Sequence, residues 1–219
     1  GKSWENMGLQ NSEHIGMIAI DPRDSDVVYA AAYGPLWDKG GDRGLYKSTD
    51  GGQSWNKILD ISEYTGISEV HLDPRNPDIL YATAHQRMRK TWTYVGGGPE
   101  SALYKSTDGG ESWNKLSLGI SDDVDLGRIG MDVSPVNPDV VYAIVEAQYD
   151  EGGFYRSDDR GESWTKMSDM ATSGNYYQEI ISDPKDVDKV YVMDTYGKVT
   201  RDGGKSFERI GSKWRHVDD

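Results

Sequence analysis

Short runs of β-branched and aromatic residues alternate along this chain with clusters of Gly, Asp, Ser, Asn and Pro. Apolar runs bounded by turn residues read as strands. The spacing predicts strands at 15–20, 27–32, 44–48 and 54–58, then at 67–72, 79–84, 102–106 and 112–116. Two further sets follow at 128–133, 140–146, 153–157 and 163–167, and at 177–181, 190–193, 198–200 and 206–210. No stretch carries sustained helical periodicity. In each set the first two strands are nearly continuously apolar, as expected of strands packed on both faces. The last two alternate polar with apolar, as expected nearer a rim.

One turn recurs between the third and fourth strands of every set. It reads Ser48-Thr49-Asp50-Gly51-Gly52-Gln53-Ser54-Trp55 in the first set and Ser106 to Trp113 in the second. The third copy runs from Ser157 to Trp164 and the fourth from Thr200 to Phe207. Gly1-Lys2-Ser3-Trp4 matches the end of a further copy. A second marker joins the first two strands: Asp21-Pro22, Asp73-Pro74, Ser134-Pro135 and Asp183-Pro184, each followed at one fixed distance by Tyr29, Tyr81, Tyr142 and Tyr191. The stretch between that Tyr and the turn Asp varies most in length. Each repeat therefore has two rigid hairpins and one elastic loop. Four antiparallel strands at a period of roughly 50 residues describe a β-propeller blade.

The repeated Asp suits a structural task, because a corner Asp can accept backbone N–H groups two residues on and close the loop. Gly52, Gly110, Gly161 and Gly204 stand two residues after it, and the position between tolerates Arg160. The expectation is that only the second position needs positive φ. The terminal aromatics Trp55, Trp113, Trp164 and Phe207 are expected to pack between blades.

Composition narrows the function. The chain has 219 residues, 24 Lys and Arg against 37 Asp and Glu, and a net charge of −13. This disfavours nucleic acid and anionic membrane surfaces as partners. No cysteine is present, so disulfides and thiolate metal sites are excluded. No apolar run reaches membrane-spanning length. No cofactor and no metal is expected. Asp122, Asp123 and Asp125 offer oxygen ligands but no complete calcium-loop pattern.

The Ser-x-Asp-x-Gly-x-Ser-Trp pattern resembles the Asp-box, or bacterial neuraminidase repeat. The whole chain is similar to large secreted bacterial Asp-box propellers of glycosyl-hydrolase-like or sortilin type. Gly127-Arg128-Ile129-Gly130 and the segment 85–91 share in the resemblance. It implies an all-β propeller of four visible blades, at about 5–58, 59–116, 117–167 and 168–210, as a segment of a larger propeller. Residues 1–4 would close a preceding blade and 211–219 would begin a following one. It also implies a bacterial extracellular, periplasmic or envelope location. The remaining blades, or a partner chain, would meet the open edges. Sialidases, xyloglucanases, sortilin-type receptors and photosystem assembly factors all carry the repeat, so it points to fold more than to function. Thr200, Phe207 and Lys198 depart from the pattern in the fourth copy.

The Asp-box set, Asp50, Gly52, Trp55, Asp108, Gly110, Trp113, Asp159, Gly161, Trp164, Asp202, Gly204 and Phe207, reads as turn structure. The variable loops lie at the opposite, upper end of the sheets. There His85, Arg87, Arg89, Trp92 and Tyr94 gather cations and aromatics in an acidic chain, while Trp37 and Arg43 form a second patch. Tyr176 and Tyr177 lie on a blade connection of the same face. Arg holds carboxylates bidentately and Trp stacks on sugars. Glycoside hydrolysis needs two positioned carboxylates. Glu13, Asp38, Asp42, Glu100, Asp122, Asp123, Asp125 and Glu146 are available, and no pair stands out by sequence. The arginine spacing does not match a sialidase. The histidines, His14, His71, His85 and His216, are scattered. The leading expectation is a binding module for a protein, peptide or glycan at the upper face. A glycoside hydrolase with its carboxylates partly on other blades is the alternative, and a structural scaffold is the third reading.

Overall fold

Each set of four strands closes into one antiparallel sheet in the computed structural model, which describes residues 1–211. Blade 1 consists of β1 (Ile15–Ile20), β2 (Val28–Ala32), β3 (Gly44–Ser48) and β4 (Asn56–Leu59). Blade 2 has β5 (Thr65–Leu72) and β6 (Leu80–Gln86), a small hairpin of β7 (Met88–Lys90) and β8 (Thr93–Val95), then β9 (Ala102–Ser106) and β10 (Asn114–Lys115). Blade 3 comprises β11 (Leu126–Val133), β12 (Val141–Ala147), β13 (Gly153–Ser157) and β14 (Thr165–Ser168). Blade 4 comprises β15 (Ile180–Ser182), β16 (Val190–Val192), β17 (Lys198–Thr200) and β18 (Glu208–Arg209). The β7–β8 hairpin replaces an expected loop. Met88, Arg89 and Lys90 pair with Val95, Tyr94 and Thr93, so backbone hydrogen bonds order what composition alone presents as irregular.

The core lies between the blades. Tyr29, Leu45 and Leu59 of blade 1 pack on Ile67, Val70 and Leu80 of blade 2, with Trp113 against them. Tyr81 and Leu103 meet Ile129, Met131 and Val145 with Trp164, and Tyr142 and Phe154 meet Ile180 and Val190 with Phe207. These three aromatics each seal the seam with the preceding blade, while Trp55 packs with Leu9 on the outer side of blade 1. Inner strands approach so closely that a Cβ on Gly130 would fall on the Gln178 carbonyl, and one on Gly66 on the Tyr33 carbonyl. The first and last inner strands differ from the apolar-on-both-faces expectation. Ile18, Ile20 and Ile181 are exposed because no neighbouring sheet covers them among the described residues.

The Asp-box bonds repeat in all four copies, with a different span from the one expected. Asp50 Oδ1 accepts from Ser54 N, four residues on, at 2.8 Å, and Oδ2 accepts the Ser54 hydroxyl at 2.6 Å. Ser48 Oγ donates to Asp50 and accepts from Gly52 N. Asp108, Asp159 and Asp202 repeat this arrangement. These bonds hold all four carboxyls down at about 2. The φ expectation needs correction. Gly52, Gly110, Gly161 and Gly204 are positive (84° to 99°), but Gly51, Gly109, Arg160 and Gly203 are positive too. Arg160 tolerates 61° because that value lies in the left-handed well open to L-residues at modest cost. The second position lies further out and requires glycine. Residues 1–4 form no strand and Trp4 is exposed, since no sheet lies beside them to pair with. Of the expected start of a following blade at 211–219, residues 212–219, with His216, fall outside the described residues.

Candidate functional site

Strand direction puts the Asp-box turns at one end of the sheets and the β2–β3, β6–β9, β12–β13 and β16–β17 loops at the other. Register locates a specific slot at that second end. Val28, Leu80, Val141 and Val190 each pair with the Ser or Thr that opens an Asp-box. Five residues further on stand Tyr33, His85, Glu146 and Thr195. The framework is constant, and this slot changes chemistry from blade to blade.

In blade 3 the slot holds Glu146, half-buried in the wall shared by two clefts. One cleft, about 260 Å³, is bounded by Gly96, Gly97, Asp125, Gly127 and Gln148. The other, about 400 Å³, is bounded by Asp150, Gly152, Asp169 and Ala171. A Cβ on Gly127 or on Gly174 would collide with the Glu146 carboxyl, so both glycines keep room for it. Burial pushes its pKa up, although the Arg128 N–H, donated at 3.3 Å, and the Arg128 charge pull against this. Arg128 itself is paired with Glu179 at 3.0 Å. Its backbone is held by Gln178, which is fully buried, has φ of 87° and donates from Nε2 to the Arg128 carbonyl. A non-glycine residue at that φ stores strain.

In blades 1 and 2 the slot residues bond to each other. The Tyr33 hydroxyl meets His85 Nδ1 at 2.8 Å, and His85 Nε2 meets the Gly96 carbonyl at 3.1 Å. His85 is buried, and desolvation lowers it to about 4, so it stays neutral. The Arg87 guanidinium lies 3.8 Å above the Tyr33 ring, and Arg89 lies over Tyr94. The blade 2 hairpin rests on the blade 1 loop through Arg89 N to the Leu36 carbonyl and Lys90 Nζ to the Trp37 carbonyl. Trp37 and Trp92, the latter at the hairpin tip, project into solvent.

Further down the inner strands, Glu69 Oε2 accepts the Met131 N–H and faces His71 Nε2 at 3.3 Å. His71 Nδ1 faces Asp132 at 3.6 Å, and Asp132 accepts the Ser182 N–H. Burial opposes charge on His71, but these two carboxylates outweigh it and raise it to about 9. The relay ties blades 2, 3 and 4 together.

The structure brings His85, Arg87, Arg89, Trp92 and Tyr94 onto one rim, as their sequence proximity suggests, and joins Trp37, expected in a separate patch, to it through Lys90. Two members are not presented to a ligand. Arg43 is 1 % exposed and donates to the Tyr33, Pro35 and Asp38 carbonyls, so it organises the loop from inside. His85 is equally covered. Tyr176 and Tyr177 sit apart, on the blade 3–4 connection just after Gly174, and line neither Glu146 cleft. Glu146 was one carboxylate among eight by sequence, and only strand register separates it from the others. Gln178 and the Glu69–His71–Asp132 relay carry no sequence signal, because residues distant in the chain create them. Among the described residues no group of three His, Asp or Glu side chains is arranged to hold a metal ion.

Four-stranded sheets with Asp-box turns, packed side by side on their inner strands, define an Asp-box β-propeller. The Sortilin-Vps10 family model (sortilin, neurotensin receptor 3) matches residues 1–142, and the BNR/Asp-box repeat model matches residues 155–166. The chain belongs to the Sortilin-Vps10 family. Among curated proteins it is 25% identical over 180 residues to xyloglucanase Xgh74A of Acetivibrio thermocellus, covering 79% of this chain and 20% of that protein. It is 30% identical over 123 residues to a xyloglucanase of Hypocrea jecorina, covering 52% of this chain and 12% of that one. The chain therefore spans about a fifth or less of these relatives. Among solved structures, an ancestral GH74 enzyme superposes with a TM-score of 0.69 at 18% identity, covering 100% of this chain and 28% of that one. YCF48 bound to D1 peptide gives 0.60 at 14%, covering 96% and 57%. These last two likenesses show the fold.

Proposed function

We propose that this chain forms part of a glycoside hydrolase acting on a β-linked glucan, with Glu146 as general acid. The observation that carries this reading is the Glu146 carboxyl itself: half-buried, shifted upward, and exposed to two clefts at the variable end of the sheets. A carboxyl whose pKa is raised by burial is better suited to hand a proton to the leaving glycosidic oxygen than one held down by donors. The similarity to xyloglucanases supports the hydrolase over the leading sequence reading of a pure binding module. Asp125 in one cleft and Asp150 and Asp169 in the other are the carboxylates at hand for the second role, activating water or attacking the sugar. Arg128 N–H and Gln178 hold the acid and its strand in place. A polymeric glucan is met outside the cytoplasm, which supports an envelope or extracellular location. The exposed Ile18, Ile20 and Ile181 support further blades or a partner chain at the outer strands.

Incubation of the chain with xyloglucan and cello-oligosaccharides, followed by chromatography of new reducing ends, tests this. Glu146→Gln is expected to lower the cleavage rate about a thousandfold, with folding unchanged by circular dichroism. Equal cleavage by both forms, or none by the unaltered chain, overturns the assignment. The exposed Trp37, Trp92 and Tyr176 favour glycan binding as the second reading, and retention of oligosaccharide without cleavage would select it.

A further inference from the structure

The upper rim of blades 1 and 2 holds arginines that make no ion pair among the described residues. Arg23, Arg75, Arg128, Arg156, Arg160 and Arg201 each hold an Asp or Glu, while Arg209 at the outer edge of blade 4 lies over the Tyr196 ring. Arg43, Arg87 and Arg89 hold none among the described residues, and the chain carries an excess of 13 negative charges from which partners could have been drawn. Arg43 is buried against backbone carbonyls alone. Arg87 is part-buried, stacked on Tyr33, and its Nε is buried without a hydrogen-bond partner, as is that of Arg43. Burial and neighbouring cations disfavour the charged forms of Arg43 and Arg87, although Glu13 and Asp38 partly offset this at Arg43. Removing guanidinium groups from water without a counter-charge costs free energy, and an arriving anion relieves that cost.

We propose that this rim is a subsite for the carboxylate of an acidic sugar, with Arg87 as its anchor and Arg89 beside it. The proposal rests on the glycan-processing reading above and names the class of glycan: one carrying uronate residues. The guanidinium fork matches a carboxylate bidentately. Its plane is already set by the Tyr33 ring, so little side-chain entropy remains to be lost on binding. Trp37 and Trp92, 54% and 81% exposed, flank the cations and present faces on which neighbouring sugar rings stack. A rim meant only to fold would hide those indoles and pair those arginines. A pyranose chain with a carboxylate at one ring meets both features at once, whereas a peptide terminus uses only the charge.

Calorimetric titration of the full chain with two oligosaccharides of equal length, one neutral and one bearing glucuronic acid, tests the subsite. The uronate is expected to bind about tenfold more tightly, with the advantage shrinking at high salt. Arg87→Gln is expected to remove most of that advantage, Arg87→Lys to restore part of it, and Arg89→Gln to reduce it less. Equal affinities in the unaltered chain, no binding of either sugar, or a ratio unmoved by Arg87→Gln overturns the subsite. So does tighter binding of a peptide with a free C-terminal carboxylate. The two proposals fail separately. A uronate preference without cleavage sinks the hydrolase and leaves the subsite, and cleavage without preference does the reverse.

Discussion

The two ends of these sheets obey different rules. At the Asp-box end four turns repeat one set of bonds, down to which oxygen accepts from which serine or threonine. At the other end the same register position carries Tyr33, His85, Glu146 and Thr195 in turn. A turn that closes a hairpin works alone, so each copy needs the same residues. A site is shared between blades, so each blade contributes something different. The carboxylates follow the same division. Those in the turns are held down at about 2 by serine, threonine and backbone donors, while Glu146 is driven up by burial. A proton donor for chemistry is sought in the second group, not the first.

The contrast is easiest to break inside one turn. Gly110→Ala places a methyl group 2.6 Å from the Ile58 side chain at φ of 94°. It is expected to cost about 3 kcal/mol, lowering Tm by about 10 °C. Gly109→Asn, one residue earlier at φ of 71°, stays in the left-handed well that Asn accepts. It is expected to change stability by less than about 0.5 kcal/mol. Similar Tm losses for both would erase the distinction between the two turn positions.

The pH dependence separates the turns from the inner strands. His71 is raised to about 9 in the fold, against about 6.5 unfolded. Its contribution is complete below about pH 6.5 and lost as pH rises through about 9, on the order of 3 kcal/mol in all. The Asp-box carboxyls are lowered to about 2, so their contribution is complete above about pH 4 and lost as pH falls through about 2. Urea unfolding across pH should show both arms. His71→Gln should flatten the alkaline arm alone, and an unchanged alkaline arm would remove the relay as its source.

The smallest expected effect lies at the rim. Trp92→Ala, at a tip 81% exposed, should move stability by less than about 0.5 kcal/mol. Oligosaccharide affinity should weaken severalfold. A large loss of Tm with unchanged affinity would make the hairpin a structural strap.

Strands, blade count and turn positions were legible in the chain because they depend on local chemistry. Asp108 bonds within its own turn, and strand spacing is a matter of neighbours in sequence. Positive φ at the first turn position is not legible in the chain, because Arg160 stands there and the left-handed well tolerates it at modest cost. Arg87 and Trp92 were legible as a patch because a single hairpin carries both. Other groups were not. Arg43 reads as a surface cation until the loop folds over it, and Glu146 reads as one acid among many.

By itself the sequence determined a repeated four-stranded sheet and the turns that staple it, since hydrogen bonds four residues apart and alternating burial need no distant partner. Tertiary structure alone decided which carboxyl is driven toward its protonated form, which arginines go without a counter-charge, and how His71 comes to lie between Glu69 and Asp132. Those properties are set by desolvation and by charges on other blades, and both come into being only when the blades pack.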